Sequence, residues 1–174
     1  SGELLGSRGD CEVFSFHATK PFAIGEGGAV TTRSESLADQ MRRFTNFGFG
    51  ASQGAIEIGL NGKLQELNAA IGRRQLTAFG DSLQSRRAVL DHYITAFAEL
   101  PLIFPSAIRE SSVCFASVIL NSPGSLDGTL ASLRDARIDV RTYYSPQLHH
   151  QPWFRRFAPK VSLTESEDTS KRVI

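Results

Sequence analysis

One lysine stands out by its neighbours. Lys20 follows the run Ser15-Phe16-His17-Ala18-Thr19 and precedes Pro21, and a glycine turn, Gly25-Glu26-Gly27-Gly28-Ala29, closes behind it. The stretch Cys11-Glu12-Val13-Phe14-Ser15-Phe16 alternates and is rich in β-formers, so the lysine lies just past a strand and before a tight turn. Rigid backbone at a sheet edge is where functional side chains tend to sit. An amine desolvated there acts as a nucleophile toward carbonyls or as a base. A lone loop lysine is more often a solvated surface group, so other residues must decide.

The elements that position Lys20 follow from the same pattern. Ala29 to Thr32 reads as a second short strand, a neighbour of the first. Ser34 is a plausible N-cap, and Leu37, Met41 and Phe44 recur at i, i+4, i+7 along a helix ending near 46–50. A glycine-rich loop runs to about Gly62. From Leu64 to Leu100 the apolar positions Leu67, Ile71, Leu76, Phe79, Leu83, Leu90, Ile94 and Phe97 keep helical spacing, with Gly80-Asp81 the expected interruption. Pro101 and Pro105 break this pattern. Beyond them Val113–Leu120 reads as a strand, Leu126, Leu130 and Leu133 as a helix, and Ile138–Tyr144 as another strand, a β-α-β order that suggests a second lobe. From Ser145 the chain turns at Pro146 and Pro152 and ends in a polar, helix-like stretch.

Four ordered segments carry a resemblance: F-S-F-H-A-T-K-P with G-E-G-G-A-V, then F-T-N-F-G-F (Phe44–Phe49), then G-L-N-G-K-L-Q-E-L-N-A-A-I-G-R-R-Q-L (Gly59–Leu76), then V-R-T-Y-Y-S-P-Q-L-H-H-Q-P-W-F (Val140–Phe154). Together they resemble the DegT/StrS family of sugar aminotransferases, pyridoxal-phosphate enzymes of the aspartate-aminotransferase fold. The resemblance implies an α/β fold: a partial PLP-dependent transferase large domain over 1–100, with long connecting helices, and a partial small C-terminal α/β lobe over 101–174. Lys20 matches the Schiff-base lysine, which in the family also shuttles the proton. Ser15 matches the hydroxyl that binds the cofactor phosphate. Asn46 matches an asparagine reaching the phosphate in the neighbouring subunit, which implies a homodimer with shared sites. Asn61 and Lys63 match a loop near the substrate. His17 also belongs to the motif but is assigned no role, an orienting or packing side chain being the preferred reading. Phe47, where many relatives carry His, is similar to the branch acting on nucleotide-linked 4-keto or 3-keto deoxysugars. The implied activity is amino transfer from glutamate to such a sugar through pyridoxal 5'-phosphate.

Full-length members place a cofactor-binding half before the lysine: phosphate-binding glycines and hydroxyls, an aromatic stacked on the ring, and an acid paired with the pyridinium nitrogen. This sequence has no counterpart of them. It is expected to be an internal fragment, inactive alone, whose uncovered sheet edges and apolar faces make it associate. The rival readings are a non-catalytic dimerisation or interaction module derived from the family, and a relative that binds cofactor without transaminating.

Composition excludes other classes. The chain has 174 residues, enough for one domain or one and a half and for a real core. Hydrophobic residues at 41% and charged residues at 21% lie near globular averages, against disorder and fibrous classes. Apolar runs are too short for a membrane span, and the cytoplasm is the default compartment. A net charge of +1 offers no field for nucleic acid. The doublets Arg42-Arg43, Arg73-Arg74, Arg86-Arg87 and Arg155-Arg156 read as solvated faces or intersubunit pairs. Gly25–Gly28 imitates a phosphate cradle, but a strand rather than a helix follows it. Cys11 and Cys114 read as reduced core residues. His149, His150 and Trp153 lack Cys or paired carboxylates at ligand spacing, so a surface loop and no metal is expected there.

Overall fold

β-forming residues on either side of the lysine loop pair as expected. In the computed structural model, which describes residues 5–52, 54–157 and 162–174, β1 (Glu12–Ser15) and β2 (Gly28–Thr31) run antiparallel, with Ser15 opposite Gly28. A Cβ on Gly28 would stand 2.6 Å from the Phe14 carbonyl oxygen, so only glycine lets the strands close at the loop's neck. Contacts divide the chain into two units, Ser1–Leu83 and Gln84–Ile174.

In the first unit Ser34 caps α1 (Glu35–Phe44): its Oγ accepts the Leu37 N–H at 3.2 Å, an interaction worth about 1 kcal/mol. Glu35 in the first turn and Arg42 and Arg43 in the last complement the helix dipole. Two helices follow, α2 (Glu66–Thr77) and α3 (Phe79–Ala96), separated at Ala78. The break falls before Gly80-Asp81. Both residues lie in the first turn of α3, where amides have no intrahelical partner and an acidic side chain meets the positive helix end.

In the second unit Leu90 of α3 is the most buried side chain, packed with Ile108 and Val113 and flanked by Ile94 and Phe104. β3 (Leu102–Ile103) pairs antiparallel with β4 (Ile119–Leu120). The chain's last residues take the other edge of β4, through Val118 N–H to Ile174 O at 3.0 Å and Leu120 N–H to Arg172 O at 3.0 Å. Helices α4 (Leu126–Asp135) and α5 (Thr164–Ser170) complete the unit.

The second lobe corrects several expectations. Of Val113–Leu120 only Ile119–Leu120 is strand, and Ile138–Tyr144 is not strand at all. β-propensity needs a neighbouring backbone to bond with, and only 119–120 has one on each side. The expected β-α-β order therefore reduces to β4-α4. Cys11 is exposed and Cys114 half-buried, so neither is a core residue.

The core is also thinner than the length implies. Among the described residues six apolar side chains are buried, while Val13, Ile58, Leu67 and Leu76 are among many left exposed. The accessible surface is 13117 Å². A folded monomer of 19.0 kDa exposes roughly 8,400 Å², and two separate units of half that mass roughly 10,100 Å². Faces that would be interior in a self-sufficient domain are open here.

Candidate active-site loop and its relatives

The lysine loop is braced from four directions. Its neck is closed by Phe16 N–H to Gly27 O and Ile24 N–H to Phe16 O, each 2.9 Å. Phe22 packs edge-on between Phe16 (4.9 Å between centroids) and Phe79 at the start of α3 (5.7 Å). Ile24, 3% exposed, sits over Gly72 of α2, where an added Cβ would be 3.3 Å from Ile24 Cγ2. One turn earlier on the same helix face, Asn68 Nδ2 donates to the Glu26 carbonyl at 2.7 Å.

His17 spans the loop from within. The Thr19 backbone N–H and hydroxyl reach its Nδ1 at 3.2 and 2.9 Å, and its Nε2 faces Glu26 Oε1 at 3.6 Å. Lys20 N–H donates to His17 O at 2.9 Å, which ends the turn and fixes where the lysine side chain departs. That side chain is part-buried, and among the described residues its amine has neither hydrogen-bond nor ion-pair partner. Ser15 Oγ accepts only a long 3.4 Å contact from His17 N–H, so this hydroxyl is nearly unspent.

A second cluster forms behind α1. Arg43 Nε binds Glu57 Oε1 at 2.7 Å, tying the helix end to the following loop. Asn46 and Asn61 pair as an antiparallel bridge, supported by Phe47 N–H to Leu60 O at 3.0 Å and Gly62 N–H to Thr45 O at 2.9 Å. Lys63 Nζ donates to Asn61 Oδ1 at 2.7 Å and stands 3.9 Å over the Phe47 ring. Asn46, Asn61 and Lys63 are thus brought together. Ser15 and Lys20 belong to the other loop, and among the described residues no hydrogen bond or ion pair joins the two groups.

Asn68 and Gly72 are the positioning residues that motif reading passed over. Their four-residue spacing on one face of a periodic helix is the signal that could have found them. The arginine doublets are partly paired locally, Arg42 with Asp39 at 2.7 Å and Arg43 as above.

A strand-loop-strand lysine braced by a long helix, in a chain of mixed helix and strand, is the partial α/β fold of the PLP-dependent aminotransferases. Solved relatives share it: DesI, crystallised in the presence of its TDP-sugar product, superposes with a TM-score of 0.87 at 32% identity over 99% of this chain and 45% of its own. The chain belongs to the DegT/DnrJ/EryC1/StrS aminotransferase family, whose sequence profile matches residues 1–174. Protein Rv3402c of Mycobacterium tuberculosis is 43% identical over 99% of this chain and 43% of that protein. The dTDP-4-amino-4,6-dideoxy-D-glucose transaminase of Shigella dysenteriae is 32% identical over 79% of this chain and 39% of the enzyme. The chain thus spans less than half the length of these relatives. No helix among the described residues is long and apolar enough to cross a membrane.

Proposed function

We propose that residues 1–174 form the lysine-bearing part of a PLP-dependent sugar aminotransferase, which moves an amino group from glutamate to a keto group of a nucleotide-linked deoxysugar. The observation that carries this reading is the state of Lys20, a part-buried residue on a braced loop whose amine has no partner among the described residues. The donor set suits the cofactor: an amine for its aldehyde and, five residues earlier, an unspent hydroxyl for its phosphate. When bound, pyridoxal phosphate supplies an electron sink for the carbon bearing the amino group.

Lys20 Nζ would hold the cofactor covalently and, once displaced by the donor amine, carry the proton between the two carbons that exchange it. Ser15 Oγ would donate to the phosphate, with Asn46 reaching the phosphate in the neighbouring subunit of a homodimer. Asn61 and Lys63 would line the approach of the sugar nucleotide, whose negative phosphates suit an ammonium oriented by a neighbouring carbonyl oxygen. Residues 1–100 belong on this reading to the large domain and 101–174 to the small one, in a cytoplasmic enzyme. The open apolar surface supports association with further protein.

The test is borohydride reduction of a full-length relative carrying this segment, loaded with pyridoxal phosphate, followed by peptide mapping. The adduct is expected on Lys20 and absent from Lys20→Ala. An adduct on Lys63, Lys160 or Lys171 instead would overturn the assignment, and no adduct at all would favour a non-catalytic interaction module.

A further inference from the structure

The second unit holds a cluster that the aminotransferase reading does not use. His149 and His150 are adjacent on the 3-10 turn Leu148–His150, and Glu167 lies on α5. Both imidazole Nε2 atoms approach one carboxylate oxygen, Glu167 Oε1, each at 3.5 Å. The two rings are 4.1 Å apart, and the three ligand atoms lie within 4.8 Å of one another. His150 and Glu167 are seventeen positions apart, so no local spacing could have announced the group.

The separations are wrong for hydrogen bonds and right for an ion. A charge-assisted N–H···O contact is about 2.7–2.9 Å, so at 3.5 Å neither nitrogen makes a good hydrogen bond to Glu167. His149 Nε2 is buried with no hydrogen-bond partner. Bonds of about 2.0–2.1 Å at tetrahedral angles place two ligand atoms roughly 3.3–3.4 Å apart around zinc. Side-chain exposure is 19%, 38% and 30% for His149, His150 and Glu167, so the group is half-buried yet reachable by an ion from solvent.

An outer layer sets the orientation. Gln147 Nε2 donates to Ser170 Oγ, and that hydroxyl donates to the Glu167 carbonyl at 2.9 Å. The Gln147 amide therefore turns its oxygen to His150 Nδ1, 3.1 Å away. An oxygen acceptor there calls for the hydrogen on Nδ1, so in the neutral ring the Nε2 lone pair is aimed at a carboxylate. Two electron-rich atoms face each other, and a cation between them converts repulsion into attraction.

We propose that His149 Nε2, His150 Nε2 and Glu167 Oε1 form a binding site for a divalent transition-metal ion, zinc fitting best. Two imidazoles and one carboxylate suit zinc better than calcium or magnesium, which prefer all-oxygen shells. Three protein ligands leave a fourth position for water or another donor, and His149 also lines a cleft with Tyr143, Tyr144, Gln147 and Ser170.

The experiment is a titration of the metal-free 174-residue chain with zinc chloride against a chromophoric chelator, with imidazole nitrogen resonances followed by NMR. One equivalent is expected to bind and to shift the Nε2 signals of two histidines. His149→Gln, His150→Gln and Glu167→Gln should each weaken binding at least 100-fold, and Gln147→Leu 10- to 100-fold. His92→Gln and Cys11→Ser should leave it unchanged. Far-UV circular dichroism identifies any variant that fails to fold, and the wild-type resonances decide without it. Unshifted imidazoles would mean that only a proton occupies the site and would overturn the proposal. So would a thiolate-to-cobalt band in the cobalt-loaded chain, or variants that bind as tightly as wild type.

Discussion

Gly48 offers the sharpest test of how the Asn46–Asn61–Lys63 cluster is built. It is buried and has φ +72°, a conformation costing an L-residue roughly 1–2 kcal/mol. A Cβ there would overlap the Glu57 carbonyl oxygen outright, while standing 2.8 Å from its carbon and 3.3 Å from Gly59 N. These are backbone atoms, which cannot swing aside as a side-chain tip can, so overpacking adds roughly 1–3 kcal/mol. Gly48→Ala should thus destabilise the loop by about 2–5 kcal/mol, a factor of about 30 or more in its opening equilibrium. Amide-resolved hydrogen exchange reads this directly. The amides of Phe47, Gly48, Ile56, Leu60 and Gly62, all bonded to loop or helix-end carbonyls, should exchange at least about 30-fold faster. Those of Val118 and Ile174 in the second unit should not change. Gly80→Ala is the matched control: nothing lies within 4 Å of the added carbon, and in the first turn of α3 it should leave the exchange of the loop amides unchanged. Unaltered exchange in Gly48→Ala would refute the close approach of the two loop segments.

Asn68→Ala removes the bond to the Glu26 carbonyl and should loosen the lysine loop by about 1 kcal/mol, seen as roughly fivefold faster exchange of the Ile24 amide; an unchanged rate would show that Gly72 and the aromatic packing suffice. If Asn46 serves the neighbouring subunit, mixing Lys20→Ala and Asn46→Ala chains of a full-length relative carrying this segment should restore amino transfer, because each mixed dimer has one intact site. Failure to complement would place Asn46 in its own subunit's site. The isolated 174-residue chain should bind pyridoxal phosphate weakly and elute as an oligomer in gel filtration. Tight stoichiometric binding bleached by glutamate, or a compact monomer, would contradict this.

Local chemistry was legible in the residues themselves. Ser34 as cap, the apolar stripe of α1 and the antiparallel strands around Lys20 all rest on interactions within a few positions, where side-chain type and spacing determine the geometry. The α2–α3 break was displaced by two residues, because a helix's first turn tolerates Gly and Asp that its interior would not. What required the tertiary structure is whatever depends on a distant partner. Val113 and Tyr144 have strand-forming neighbours, yet among the described residues no backbone pairs with them in a ladder or bridge, while Ile119 gains strand from residues 172–174. Cys11 was expected in a core and lies at the surface, because burial depends on the element laid over a strand and not on the strand's own sequence. Asn46 meets Asn61, and His150 meets Glu167, only through the path of the intervening loop. Periodicity and capping act over a turn of helix or a strand pair, but the convergence of side chains far apart along the chain is decided by packing, and no local pattern encodes it.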